Sequence, residues 1–197
     1  MFMIESRISA ILLAAGTSRR MGGRDKLLLG YEGTSLLRRA VGLLDNLPVY
    51  ERIIVTTQER FEHINSQSIC TVINPRPEDG QSVSLRLGLN AASGDWYLFL
   101  AADQPLLTQA CLQPMFELAE TNADKIIFPS ISGVPCTPTL FPARFREDLL
   151  SLTGDTGGRV VRTAYPESCL EYDVKHPECF IDIDSETDYR SLTGTCI

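Results

Sequence analysis

The sequence predicts an α/β fold of three layers, with a mostly parallel central sheet covered by helices on both faces. Three observations carry that expectation. Strand-like apolar runs alternate with helical stretches along the whole chain, the pattern of strand–helix–strand units. The first run, Ile8 to Ala14 (ISAILLA), is continuously apolar, as in a strand buried on both faces. A length of 197 residues with 44% hydrophobic and 22% charged side chains suits a folded globular domain rather than a disordered chain.

The elements follow in order. Ser35 to Leu44 (SLLRRAVGLL) places apolar residues at three-to-four spacing with two arginines opposite, so it reads as a helix. Arg52 to Thr57 (RIIVTT) is a second strand and Thr71 to Ile73 a short third. Ser82 to Ala92 is a helix despite Gly88, Trp96 to Ala101 (WYLFLA) a strand, and Thr108 to Glu120 a helix. Lys125 to Pro129 and Thr139 to Phe141 are strands around a turn at Gly133, Val134 and Pro135. Phe145 to Leu152 and Gly158 to Ala164 are helices. A strand is expected near Phe180 and Ile181, then a short helix opened by Ser185 with Asp188 three residues on, a capping-box pattern. No repeat or linker divides the chain, so a single domain spans 1–197, with a nucleotide-binding half of about 1–107 and an acceptor-binding half of about 108–197.

Composition narrows the function. Eighteen basic against 25 acidic residues give a net charge of −7, which argues against nucleic acid or a membrane surface as partner. No apolar run reaches the roughly 18–20 residues that span a bilayer, and Met1 to Ala15 lacks the layout of a signal peptide. The six cysteines show no CxxC spacing and no histidine at zinc-ligand spacing, so free thiols in a reducing cytoplasm are expected.

In parallel α/β sheets ligands bind at the carboxyl ends of strands. After the first strand comes Ala14-Ala15-Gly16-Thr17-Ser18-Arg19-Arg20-Met21-Gly22-Gly23-Arg24-Asp25-Lys26. Three glycines allow close backbone approach, and four of the eight positions from Arg19 to Lys26 are basic in an acidic chain. Such a loop suits a polyphosphate; a solvated basic loop is the bland alternative. Neither GxxxxGK[ST] nor GxGxxG is present. Asp103 follows WYLFLA, and Pro105 turns the chain, so its carboxylate either holds Mg²⁺ or caps the helix at Thr108. Asp182 and Asp184 alternate with Ile181 and Ile183 and share a face if that stretch is extended.

Leu13 to Leu29, LAAGTSRRMGGRDKLLL, resembles the signature LAAGxSxRMGxxK of the nucleoside-triphosphate transferase superfamily, most closely its MobA-like molybdenum cofactor nucleotidyltransferases. GQSVSLRLGL (Gly80 to Leu89) is similar to GxxxSLRxGL, DQPLL (Asp103 to Leu107) to DxP, GDTGGR (Gly154 to Arg159) to GDxGxR, and DIDSETDY (Asp182 to Tyr189) to DIDTPEDY. Five motifs in order cover nearly the whole chain. The last four, with LAAG, resemble the cytidylyltransferase branch. The extra residue between Gly22 and Lys26 resembles the guanylyltransferase branch.

The resemblance implies a Rossmann-like nucleotide-diphospho-sugar transferase fold and Mg²⁺-dependent transfer of CMP from CTP to a phosphorylated acceptor of the molybdopterin type, with release of pyrophosphate. Mn²⁺ is an alternative metal, and GTP or another phosphorylated acceptor an alternative substrate. A non-catalytic cofactor-delivery protein serving a molybdenum hydroxylase partner is the alternative of another class. Lys26, Arg20 and Asp103 are the expected catalytic residues. Leu13, Ala14, Ala15, Gly16, Arg20, Lys26, Ser82 and Ser84 would bind nucleotide, and Asn74–Pro75 would add a base or ribose contact or form a plain turn. Asp103 and Asp184 would bind metal, with Asp182 in reserve and Asp155 a weaker third candidate. Cys136, Thr137 and Asp155 would face the acceptor. The family loop GxxG[HN]P reads here Gly133-Val134-Pro135-Cys136-Thr137-Pro138, which leaves the acceptor open. Arg19 and Arg24 would be exposed.

Overall fold

The computed structural model describes residues 7–18, 21 and 24–194. In chain order its elements are β1 (Ile8–Ala14), β2 (Gly30–Tyr31), β3 (Thr34–Ser35), α1 (Leu36–Asn46), β4 (Glu51–Thr56), α2 (Gln58–Phe61), β5 (Cys70–Ile73), α3 (Gln81–Ala91), β6 (Trp96–Ala101), α4 (Gln109–Thr121), β7 (Ile126–Ile131), β8 (Val134–Pro135), β9 (Thr139–Pro142), α5 (Arg146–Leu150), α6 (Arg159–Ala164), β10 (Cys169–Asp173) and α7 (Glu186–Thr193).

The main sheet runs β10-β7-β9-β6-β1-β4-β5, with β8 paired to β7. All its pairings are parallel except those of β9 with β6 and β7, and that of β8 with β7. The chain moves outward from β1 to β4 and β5, then returns to lay β6 on the other side of β1. That reversal opens a crevice at the carboxyl ends of β1 and β6, the place where such sheets take ligands.

Strand periodicity explains the two cores. Ala10, Leu12, Leu98 and Leu100 point to the layer of α1 and α4 and meet Leu37, Leu44, Leu112 and Phe116. Ile11, Tyr97 and Phe99 point to the other layer and meet Leu85, Leu89, Leu149 and Val161 of α3, α5 and α6. Helix α1 starts where expected because the Ser35 hydroxyl accepts the Arg38 N–H at 3.3 Å. Gly88 in α3 has a packing reason: a Cβ there would come within 2.5 Å of Ile11 Cγ2, so the missing side chain lets α3 lie close on β1.

The structure departs from expectation in three places. No strand forms near Phe180 and Ile181; Pro177–Phe180 is a 3₁₀ turn opened by a proline whose missing N–H costs nothing at that position. The strand of this region is β10, an edge strand with only partly buried alternation, which weakens its pattern in sequence. The turn expected at Gly133 to Pro135 is tighter. Ser132 (φ 53°) and Gly133 (φ 77°) make a two-residue turn, and Val134–Pro135 folds back on β7. No described helix is long and apolar enough to cross a membrane.

Candidate active site

The loop after β1 is held from behind by Arg60, a side chain 4% exposed on the short helix α2. Its guanidinium donates to Asp25 twice, Nε to Oδ2 at 2.6 Å and Nη2 to Oδ1 at 2.8 Å. It also donates to the carbonyl oxygens of Ala14 at 2.7 Å and Gly16 at 2.8 Å. One planar fork thus pins both legs of the loop. Asp25 in turn accepts the Leu27 N–H at 3.0 Å and caps the 3₁₀ turn Lys26–Leu28. The Lys26 N–H donates to the Ser18 hydroxyl at 3.2 Å. Arg60 lies 34 residues beyond Lys26, in a four-residue helix with no periodic signal, and sequence reasoning missed it.

The crevice floor carries three charges. Lys26 Nζ donates to Asp103 Oδ2 at 2.5 Å and to Asp184 Oδ1 at 3.1 Å. Burial alone would lower the lysine pKa, but the two carboxylates outweigh it and hold the ammonium above its ordinary value. Asp103 sits just past β6, and its carbonyl accepts the Ile183 N–H at 2.9 Å, which brings the DIDS segment alongside. The capping box of α7 then fixes Asp184: Asp188 Oδ2 accepts the Asp184 N–H at 3.1 Å and the Ser185 N–H at 2.7 Å. Asp182 stands at the mouth, where enclosure and the neighbouring Asp103 and Asp184 push its pKa up to about 6.

Asp103 Oδ1 is buried with no hydrogen-bond partner among the described residues. An unpaired carboxylate oxygen beside a second carboxylate is a hard, all-oxygen donor pair, which fits a divalent cation that keeps its remaining positions for water and phosphate. Among the described residues no group of three His, Cys, Asp or Glu side chains that could hold a metal occurs.

Two cavities meet here. The first, about 350 Å³, is lined by Leu13, Ala15, Gly16, Lys26, Ser84, Asp103, Asp155 and Asp184 among the residues expected from sequence. Two expected residues are not in its lining. Ala14 is fully buried in the core, with its carbonyl turned to Arg60. Ser82 is also fully buried; its N–H goes to the Gly154 carbonyl at 3.2 Å and its hydroxyl has no partner among the described residues, so it neither lines the cavity nor caps α3. The N-cap is Gly80, whose φ of 101° suits glycine and where a Cβ would come within 2.4 Å of the Gly154 backbone. Ser84 lines the cavity while accepting from Asn74 Nδ2 at 2.9 Å. Asn74 is buried, and its Oδ1 accepts the Arg76 N–H at 2.9 Å, so Asn74–Pro75 forms a plain turn. Arg20, and Arg19 beside it, lie outside the described residues. Arg24 is exposed.

The second cavity, about 460 Å³, takes in Cys136, Thr137 and Asp155. Leu13, Gln81, Ala101 and Asp155 border both. Gln104, missed from sequence, ties the second cavity to the charged floor: its Nε2 donates to Thr137 Oγ1 at 3.0 Å and to the Phe180 carbonyl at 3.3 Å. Its place directly after Asp103 was the only signal. Cys136 donates through Sγ to the Pro129 carbonyl at 3.4 Å. Burial, then the nearby Asp182 charge, push its thiol up to about 11, so it is a neutral wall group at physiological pH.

Residues 10–169 match the model of the MobA-like NTP transferase domain. The molybdenum cofactor guanylyltransferase of Vibrio atlanticus is 24% identical over 187 residues, 93% of this chain and 94% of that protein. The molybdenum cofactor guanylyltransferase of Pseudomonas aeruginosa is 32% identical over 114 residues, 56% of each chain. Among solved structures, a nucleotidyl transferase from Methanothermobacter thermautotroptrophicus superposes with a TM-score of 0.81 at 24% identity, over 95% of this chain and 96% of that one. Rv0371c from Mycobacterium tuberculosis, in complex with manganese, gives 0.76 at 20% identity over 96% and 100%. At such identities the structural likeness establishes the fold, which is that of the nucleotidyltransferases.

Proposed function

The chain belongs to the MobA-like NTP transferase family, and from that premise we propose that it transfers a nucleoside monophosphate from CTP to a phosphorylated pterin of the molybdenum cofactor type, releasing pyrophosphate. The observation that carries this reading is the Lys26–Asp103–Asp184 cluster on the floor of a cavity at the sheet's switch point.

The acceptor phosphate is already ionised at neutral pH, so its oxygen attacks the α-phosphorus without a general base, and pyrophosphate leaves in line. Catalysis reduces to positioning and charge neutralisation. The backbone from Ala15 to Ser18 surrounds the phosphates at close range, with the Arg60 clamp keeping that surface in place before substrate arrives. Lys26, held protonated, supplies a fixed positive charge to the α-phosphate and the leaving group. Asp103 and Asp184 would hold the divalent cation, Mg²⁺ or Mn²⁺, as a manganese complex of the similar Rv0371c also suggests. A cation held there would supply Lewis acidity toward phosphate oxygens and a template for the triphosphate. The second cavity, with Cys136, Thr137 and Asp155 on its walls, receives the acceptor.

A second reading uses GTP. Two observations favour it: the longer loop between Gly22 and Lys26, and relatives named guanylyltransferases. Pyrophosphate release measured with each of the four NTPs, Mg²⁺ and molybdopterin separates the two. Release with CTP alone is expected; release with GTP alone moves the assignment to the second reading; release with no NTP removes both.

A further inference from the structure

Arg162 has no part in the reaction as described so far, yet it is placed to touch the acceptor. It lies on α6 and lines the second cavity, together with Arg159 one turn earlier. Its guanidinium carbon is 4.2 Å from the centre of the Phe128 ring, so an aromatic face supports it from behind. Among the described residues no carboxylate comes within ion-pair distance of it. Two carboxylates do line the same cavity, and neither forms an ion pair with it. Asp155 accepts the Gln81 N–H at 3.3 Å, and Asp182 stands beside Asp103 and Asp184. Burial pulls the Arg162 pKa below the usual guanidinium value, and the neighbouring Arg159 lowers it further, while the nearby Glu171 charge offsets only part of this.

Position within the cavity gives this cation a role. The acceptor's reacting phosphate must lie at the shared border of the two cavities, by Leu13, Gln81, Ala101 and Asp155. Arg162 and Arg159 are not on that border. The walls of the same cavity also include the apolar Leu85, Phe99 and Phe141, and the two phenylalanine rings meet edge-on at 6.0 Å. We propose that Arg162, with Arg159, forms a second anion subsite that selects acceptors carrying a negatively charged group at the end of a flat, partly apolar body away from the transferred phosphate. This rests on the nucleotidyl-transfer reading and adds an acceptor requirement that the reading itself does not contain.

Isothermal titration calorimetry on the full chain with two small probes tests it. Phenyl phosphate carries one anionic end and 4-carboxyphenyl phosphate carries two. The wild-type chain is expected to bind the second about tenfold more tightly, the size of one charge-assisted hydrogen-bonded pair. Arg162→Gln should erase the preference while leaving phenyl phosphate affinity unchanged. Arg162→Lys, which keeps the charge and loses the planar fork, should retain part of it and serves if the glutamine variant folds poorly by circular dichroism. Equal affinity of the two probes for wild type, no measurable binding of either, or an undiminished preference in both variants overturns the subsite. Titration of CTP and GTP with Mg²⁺ in the same buffer tests the underlying reading separately. Nucleotide binding without probe discrimination removes the subsite alone, and discrimination without nucleotide binding removes the transfer reading alone.

Discussion

The two cavities share a border but are built from different materials. The proposed nucleotide side is made of backbone and of charges paired with one another: Arg60 on Asp25 and two carbonyls, Lys26 on Asp103 and Asp184. The proposed acceptor side is made of side chains on a hairpin, a loop and a short helix, with a neutral thiol at Cys136 and a cation at Arg162 that forms no direct ion pair among the described residues. The first side is pre-assembled for one kind of chemistry. The second offers a shape and a charge pattern that a few substitutions would change. That difference explains why reaction class is easier to infer here than acceptor identity.

The contrast breaks most visibly at the charged floor. Lys26→Ala or Asp103→Ala should lower kcat/KM by about two to three orders of magnitude, the usual loss when one preorganised charge is removed from a transition state. Circular dichroism should stay unchanged, since both side chains border a cavity rather than the core. Chelation with EDTA should likewise abolish turnover and added Mg²⁺ or Mn²⁺ restore it. Turnover that survives either variant, or chelation, points to another mechanism.

The Arg60 clamp comes next. Arg60→Ala removes the guanidinium donor from the Asp25 carboxylate and two loop carbonyls, and breaking such a buried pair costs about 3 kcal/mol, somewhat less here because Asp25 is part-exposed. The loop should loosen, raising the nucleotide KM about tenfold, while phenyl phosphate binding on the acceptor side stays as in wild type. Asp25→Asn in the same background should add much less than its single-variant cost, because the two groups act as one unit. Loss of both substrates together would show that Arg60 holds the whole fold rather than the loop.

Cys136 sharpens the comparison from the acceptor side. A pKa of about 11 leaves roughly one thiol in a thousand ionised at pH 8, so alkylation should run about a hundredfold slower than at a small free thiol of ordinary pKa, with the rate climbing toward pH 11. The sign for stability is equally defined. The folded pKa lies above the ordinary thiol value of 9.0, so the contribution is complete below about pH 9 and is lost as pH rises through 11. Cys136→Ser should shift the acceptor KM only a few-fold and leave nucleotide affinity alone. Fast labelling at pH 7 would show an open, ionised thiol and a different acceptor wall.

Much of this was legible in the chain itself, for stated reasons. ISAILLA and WYLFLA are buried on both faces, so their apolar runs are unbroken, and the residues that follow them must lie at the ligand edge. Arg60 and Gln104 act through long-range contacts with partners 46 and 76 positions away, which no local pattern records. Ser82 looked like a cavity residue because it opens a helix near a glycine. The close approach of Gly80 to Gly154 instead turns it inward. Strand β10 was lost because an edge strand needs only one partner and shows little apolar alternation.

The smallest effect is expected at a cap that belongs to the nucleotide side although it lies near the end of the chain. Ser185 accepts the Asp188 N–H at 3.3 Å, and Asp188 returns the bond to Ser185 and reaches Asp184 as well. Ser185→Ala removes one arm of that box, worth about 1 kcal/mol, or roughly 2–4 °C in Tm for a chain of this size. Helix α7 should survive, because Tyr189 remains buried beside Leu36 and Ile183 and its hydroxyl still donates to the Gly30 carbonyl. What loosens is the placement of Asp184, so nucleotide affinity measured with Mg²⁺ should fall about twofold while affinity measured without metal stays the same. An equal fall in both would detach the cap from the metal-facing carboxylate and leave it a helix-stabilising device only.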